Sequence, residues 1–311
     1  MPSIVTITFN PAIDKSTTVN ALVPDKKLKC TAPVFEPGGG GINVARALKK
    51  LGGNATAIYL AGGYSGKFLN QLLEMEGIPS IVVETKQHSR ENLIVLDTSS
   101  NLQYRFGMPG PTINEIEWQQ CLLEIEKIND AEFIVASGSL PDGVPTDIFA
   151  RIADIAKIKK AKFIADTSGL ALKYAVNEGV YLLKPNLGEL SSLVGDIELN
   201  ASQVVDVARN LINKNKCEVI VVSMGAGGAL LITKNETHHV VPPVVKRKST
   251  VGAGDSMMAG MIYYLYQQKS LLEAMKYGVA CGTAATMNSG TQLCSLADVE
   301  SLYAGISISA C

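Results

Sequence analysis

Ser249-Thr250-Val251-Gly252-Ala253-Gly254-Asp255-Ser256 is a run of small residues that meets an aspartate where an apolar helical pattern begins. Met257, Met261, Tyr264 and Leu265 follow at the spacing of one helix face. The first turn of a helix carries unpaired N–H groups and a partial positive charge, so an anion fits there. Gly252, Ala253 and Gly254 have little or no side chain to keep an anion away. Asp255 has two readings. It caps the helix after a Gly-rich turn, or it takes a proton from a hydroxyl about to attack phosphorus. A carboxylate beside an anion pocket repels phosphate, which makes it a poor binding group and a reasonable base.

Working outward from this stretch, the chain alternates. Residues 4–8, 55–60, 78–84, 133–136, 163–166, 181–183 and 219–223 read as strands. Gly225 to Gly228 turn the last of these into 229–233, which pairs with 239–245 around Asn235. Between the strands lie helical stripes, among them Val44, Ala45, Leu48 and Leu51, then Phe68, Leu69, Leu72 and Leu73. Asn114 and Glu117 have capping-box spacing for a helix to about 127. Further helices are expected near 146–158, 187–194, 201–213, 271–287 and 296–303. This alternation predicts an α/β fold, a doubly wound and mostly parallel sheet flanked by helices, as one domain over 1–311. Ligands of such sheets bind beyond the carboxyl ends of the strands.

Two stretches depart from the alternation. Residues 12–34 read as short extended pieces broken by Pro24 and Pro33. Residues 91–106 read as a hairpin turned at Thr98-Ser99-Ser100-Asn101. Together they can form a small sheet over the main domain.

Composition excludes several classes. The 311 residues are 47% hydrophobic and carry a net charge of −1 without a long run of one sign, so a nucleic-acid partner is not expected. Six scattered cysteines without a C-x-x-C suit reduced thiols in a cytoplasm rather than a disulfide frame or a zinc site. His88, His238 and His239 lack metal-ligand spacing. Neither a basic, apolar leader nor a membrane-length apolar run is present, so the expected partners include no membrane.

Other polar loops bear on chemistry. Gly38-Gly39-Gly40-Gly41-Ile42-Asn43 opens a helix and can bring backbone N–H groups to a sugar or phosphate, with Asn43 as a hydrogen-bonding side chain. Asp14, after the first strand, can hold sugar hydroxyls or serve as a turn residue. Lys27, Lys29, Arg90 and Arg105 are the basic residues of the two departing stretches, where an anionic substrate would need them. Asn186 and Glu189 stand three apart at a helix start, as a cap or as holders of water on Mg2+. Residues 284–291 can border a flat base or end a helix.

Taken together these stretches resemble one family, the ribokinase-like sugar kinases, or PfkB carbohydrate kinases. Its N-terminal signature is matched by Gly38 to Gly41 with Asn43, Gly52 and Gly62, and its C-terminal one by Thr250 to Asp255 with Ala259-Gly260. The resemblance covers essentially the whole chain. Residues 30–46, Tyr104-Arg105-Phe106, Ser137-Gly138-Ser139-Leu140-Pro141 and Asn288-x-Gly290-Thr291 are most similar to members acting on fructose 6-phosphate. Members acting on fructose 1-phosphate or tagatose 6-phosphate typically carry a Lys in the glycine run, and Gly40 and Gly41 leave none.

The resemblance implies transfer of the ATP γ-phosphoryl to the 1-hydroxyl of fructose 6-phosphate, with Asp255 as base and Gly252, Ala253 and Gly254 as anion hole. It implies that Asp14, Gly39, Asn43 and Ser139 hold the sugar and that Arg90, with Lys27, holds the 6-phosphate. Asn186 and Glu189 would organise Mg2+. Lys184, Ser223, Gly225, Gly228 and Asn288 would line the ATP site. A K+ site would use Ser249, Val251 and Asn288, although many members have Asp where Ser249 stands. Lys29 likewise stands where the nearest members have Arg. The stretches near 12–34 and 91–106 would be a lid that also forms a homodimer contact, with a tetramer in excess ATP. Phosphorylation of tagatose 6-phosphate or fructose 1-phosphate, and a non-catalytic nucleotide- or sugar-binding regulator, remain open. A nicotinamide dehydrogenase is disfavoured because the first strand is not followed by G-x-G-x-x-G.

Overall fold

The computed structural model describes residues 3–195, 199 and 201–309. A ten-stranded sheet forms the centre. Seven neighbouring strands run parallel, in the order β5 (Ser80–Thr85), β4 (Thr56–Gly62), β1 (Ser3–Thr8), β8 (Ala131–Ser137), β9 (Lys162–Asp166), β10 (Val180–Leu183) and β11 (Cys217–Ser223). β12 (Ala229–Ile232), β13 (Thr237–Val241) and β14 (Ser307–Ser309) extend it antiparallel.

The parallel strands are apolar on both faces because helices cover both. Along β11, Val219 and Val221 point into one core while Ile220 and Val222 point into the other. The first core lies under α1 (Gly40–Lys50), α2 (Gly63–Met75), α8 (Ala253–Tyr266), α9 (Leu271–Thr286) and α10 (Leu296–Tyr303). The second lies under α3 (Glu115–Lys127), α4 (Ile148–Lys159), α5 (Gly169–Glu178), α6 (Leu187–Val194) and α7 (Ala201–Asn213).

The expected capping box holds α3: Asn114 Oδ1 accepts from the N–H of Glu117 at 3.1 Å, and Glu117 Oε2 accepts from that of Asn114 at 2.8 Å. Two elements were not expected. α5 is rich in Ala and Leu and lacks a cap signature, since no side chain caps its start at Ser168. β14 is a three-residue edge strand whose side chains are all exposed, so it leaves no alternation to read.

The single-stripe expectation for α8 is corrected. Ser256, Met257, Met258, Ala259, Gly260, Met261, Ile262 and Leu265 are all buried, so the helix is covered almost all round. Glycines allow this. A Cβ on Gly260 would lie 2.5 Å from Cys281 Sγ, and one on Gly278 would lie 2.8 Å from the Met257 carbonyl. α9 thus packs against α8 nearly backbone to backbone.

A separate four-stranded sheet has the order β3 (Val34–Gly38), β2 (Ala12–Val19), β6 (Arg90–Asp97) and β7 (Leu102–Phe106). β2 and β6 run parallel from Ala12 opposite Arg90 to Val19 opposite Asp97. Within the 12–34 stretch Ala12–Val19 is a regular strand, and Pro24 and Pro33 lie in the irregular part that follows it, as expected.

Candidate active site

The glycine run is built by packing. A Cβ on Gly40 would sit 2.2 Å from Ser137 Oγ, and one on Gly41 would sit 2.4 Å from the Ile7 carbonyl. Only without side chains can the start of α1 rest on the ends of β1 and β8. Seated there, α1 delivers Asn43, whose Nδ2 donates to Asp255 Oδ2 at 2.9 Å. The two glycine-rich stretches thus meet at one carboxylate.

Asp255 lies in the first turn of α8, whose cap residue Gly252 has φ +73°, a left-handed conformation that suits glycine. The N–H groups of Ala253, Gly254 and Asp255 fall in that first turn and have no partner within the helix. A Cβ on Gly254 would be 3.3 Å from Lys184 Nζ, so the ammonium flanks the same helix start. Asp255 is half-buried. Its carboxyl is pushed up to about 6, first by desolvation and then by the charge of Asp166; Asn43 and Lys184 pull the other way, and Asp14 adds to the rise. Lys184 is buried and pairs with Asp166 Oδ1 at 3.3 Å. Burial works against its ammonium, but Asp166, Asp255 and Glu189 hold it above the usual lysine range. The arrangement can keep one carboxylate ready to accept a proton beside cationic and N–H groups that attract an anion.

Asp14 lies on β2 between Glu36 of β3 and Asn92 of β6. Its Oδ1 accepts from Asn92 Nδ2 at 2.8 Å, and burial raises its carboxyl above the ordinary range. Gly38 packs against this carboxylate. Ser139, on the loop after β8, is exposed and its Oγ accepts from Asn10 Nδ2 at 3.0 Å. Arg90 begins β6. Its Nη1 donates to the Met108 carbonyl at 3.3 Å and its Nη2 to the Asn10 carbonyl at 3.0 Å. Its Nε is buried with no partner among the described residues. Burial lowers its pKa, and Asp14 opposes this.

Lys27 is not brought to Arg90 within one chain. It is exposed on the segment that leaves β2 at Val19 and returns at Cys30. That is the Asp97 end of the small sheet, whereas Arg90 lies at the Ala12 end, roughly 23 Å away along the strands.

Asn186 and Glu189 form a capping box on α6, each side chain accepting from the other's backbone N–H at 2.9 Å. The bond between Ser223 N–H and the Pro185 carbonyl, 3.0 Å, sets the end of β11 beside Lys184-Pro185-Asn186. Gly225 begins a short 3-10 turn and Gly228 ends it, tight against the Val240 carbonyl. Ser249 is buried; its hydroxyl donates to the Gly290 carbonyl at 2.8 Å and accepts from the Val251 N–H at 3.2 Å. Asn288 Nδ2 donates to the Leu293 carbonyl at 2.9 Å. A cavity of about 520 Å³ separates the small sheet, at Ser16, Glu36 and Ile94, from Lys246, Lys248 and Gly290.

Residues 7–298 match the model of the pfkB family carbohydrate kinases. The chain belongs to that family. The ATP-dependent 6-phosphofructokinase isozyme 2 of Escherichia coli K12 is 45% identical over 308 residues, covering 99% of this chain and 100% of that one. The crystal structure of Escherichia coli phosphofructokinase-2 with potassium superposes with a TM-score of 0.94 at 45% identity over 98% of this chain and 99% of that one. The structure with fructose 6-phosphate gives 0.93 at 43% identity over the same shares.

Three residues beside these candidates are not evident from the sequence alone. Asp166 ends a strand that was foreseen, and that position was the signal available for it. Asn92 faces Asp14 only through the parallel register of β2 and β6, which no local pattern reveals. Asn10 carries no local signal of its own, since its contact with Ser139 spans 129 residues. Among the described residues no helix is long and apolar enough to cross a membrane. None of their His, Cys, Asp and Glu residues form a cluster of three or more able to hold a metal ion.

Proposed function

We propose that this chain transfers the γ-phosphoryl group of ATP to the 1-hydroxyl of fructose 6-phosphate, giving ADP and fructose 1,6-bisphosphate. The observation that carries the reading is Asp255: a carboxylate with a pKa near 6 at an open helix start, held by Asn43 and flanked by Lys184. The sugar oxygen attacks phosphorus, the bond to the β–γ bridging oxygen breaks, and the hydroxyl proton passes to Asp255. Backbone N–H groups at Gly252, Ala253 and Gly254 stabilise the charge on the transferring group. Positioning and charge stabilisation supply most of the catalysis in such transfers.

Asp14, Gly39, Asn43 and Ser139 hold the sugar in this reading, and Arg90, whose Nε has no partner among the described residues, holds the 6-phosphate. ATP lies along Lys184, Ser223, Gly225, Gly228 and Asn288. Mg2+ takes one or two carboxylates plus phosphate oxygens and keeps several waters. Asp166 and Glu189, both acting on Lys184, fit that demand without a dense cluster. When bound, the ion neutralises charge on the ATP phosphates. Ser249, Val251 and Asn288 offer neutral hydroxyl, carbonyl and amide oxygens, a donor set that suits K+.

The partner reading is a second copy of the chain. Leu102, Tyr104 and Phe106 share one face of β7 and are 56%, 39% and 46% exposed, an apolar strip that a homodimer through the small sheet would cover. Lys27 would then reach a phosphate only from the second copy. Sedimentation with and without excess MgATP reports dimer and tetramer.

ADP release coupled to a phosphosugar panel tests the activity. The highest kcat/KM is expected with fructose 6-phosphate. A higher value with tagatose 6-phosphate or fructose 1-phosphate would replace the substrate, and ATP binding without ADP release would favour a regulator.

A further inference from the structure

Asn10 lies where the chain passes from the main sheet to the small one. Four segments make that passage: 9–11 between β1 and β2, 39 between β3 and α1, 86–89 between β5 and β6, and 107–114 between β7 and α3. Asn10 meets residues at or next to all of them. Its carbonyl accepts from Arg90 Nη2 at 3.0 Å, at the start of β6. The same carbonyl is 3.8 Å from where a Cβ on Gly39 would stand. Its Oδ1 faces Gly110 so closely that a Cβ there would be 2.3 Å away. Its Nδ2 donates to Ser139 Oγ at 3.0 Å.

The side chain is 7% exposed, and its Oδ1 has no hydrogen-bond partner among the described residues. A buried unpaired acceptor is destabilising, because it loses its bonds to water and gains none in return. An apolar side chain would avoid that cost, so stability does not explain an amide here. Its bond to Ser139 does, and the backbone carbonyl of the same residue holds Arg90. These are the groups assigned above to the sugar and to its 6-phosphate, so this inference rests on that reading.

We infer that Asn10 is a positioning residue for the phosphosugar: it fixes the separation between Ser139 and Arg90, and so the length of substrate the site accepts. Asn10 acts through the two residues it holds.

The test is steady-state kinetics on the full chain. Asn10→Ala should raise KM for fructose 6-phosphate roughly tenfold, the worth of one hydrogen bond. KM for ATP and kcat should stay within about threefold, below the coupling expected of a direct contact. Gly110→Ala, which presses on the amide without deleting it, should raise the same KM. The double variant Asn10→Ala/Ser139→Ala should be no worse than the poorer single variant, because the two side chains act as one unit. Multiplying effects would overturn the inference. So would a loss of melting temperature in both single variants with KM unchanged. All ratios are taken to the unmodified chain on whichever phosphosugar it turns over fastest. A wrong substrate assignment therefore shows in the unmodified chain, and a wrong role for Asn10 shows only in the variants.

Discussion

The side-chain amide of Asn43 donates a 2.9 Å hydrogen bond to Oδ2 of Asp255, joining positions 212 residues apart. The bond turns the carboxylate and favours its charged form. It also opposes the desolvation that raises the Asp255 pKa to about 6. A base must be deprotonated to work, so kcat/KM with fructose 6-phosphate should fall as pH drops through about 6. In Asn43→Ala that acidic limb should move up by about one pH unit, since a hydrogen bond to a charged group is worth about 1.5–3 kcal/mol. An unmoved limb would separate the bond from the catalytic titration.

The same shift predicts a stability effect of definite sign. The folded Asp255 carboxyl lies near 6, above its ordinary value of 3.8. The stability this raised pKa contributes is full below the ordinary value and is lost as pH rises through about 6. Asp255→Asn escapes that loss. It should be about 1–3 kcal/mol more stable than the unmodified chain at pH 7.5, an upper bound that loss of the Lys184 attraction reduces. The gain should vanish near pH 4. Thermal unfolding of both proteins across pH checks the difference.

Arg90 has a buried Nε with no partner among the described residues. Arg90→Ala should raise KM for the phosphosugar at least about tenfold, as loss of a charge-assisted contact does. Arg90→Lys should rescue little of it, because an ammonium cannot reproduce the planar fork. Full rescue by Lys would mean that charge alone matters there.

Packing at the glycine run is open to direct test. Gly41→Ala places a Cβ 2.4 Å from the Ile7 carbonyl. It should cost about 1–3 kcal/mol, as overpacking does, and lower kcat by shifting Asn43. Gly188→Ala, with its nearest neighbour 3.4 Å away, should leave both nearly unchanged. Differential melting and turnover of the two variants compare them.

The layer architecture was legible because its signals are local. Strand–helix alternation, the 91–106 hairpin and the capping box at Asn114 and Glu117 each occupy one short window. The opening stretch showed its small residues and its aspartate for the same reason. What could not be read depends on register and on contacts between distant segments. The sequence does not reveal that Lys27 and Arg90 lie at opposite ends of the small sheet, since that follows from β2 and β6 running parallel. Nor does it reveal that Asp166 neighbours Lys184, which needs adjacent strands β9 and β10. The buried circumference of α8 depends on glycines in α9.

The central claim is that Asp255 takes the proton of the attacking hydroxyl. Its most direct test is the turnover of Asp255→Asn with saturating ATP and fructose 6-phosphate, followed by ADP release. The amide keeps the shape and cannot accept the proton, so kcat should drop at least about 10²-fold while KM for both substrates changes little. Near-normal kcat in that variant would contradict the account.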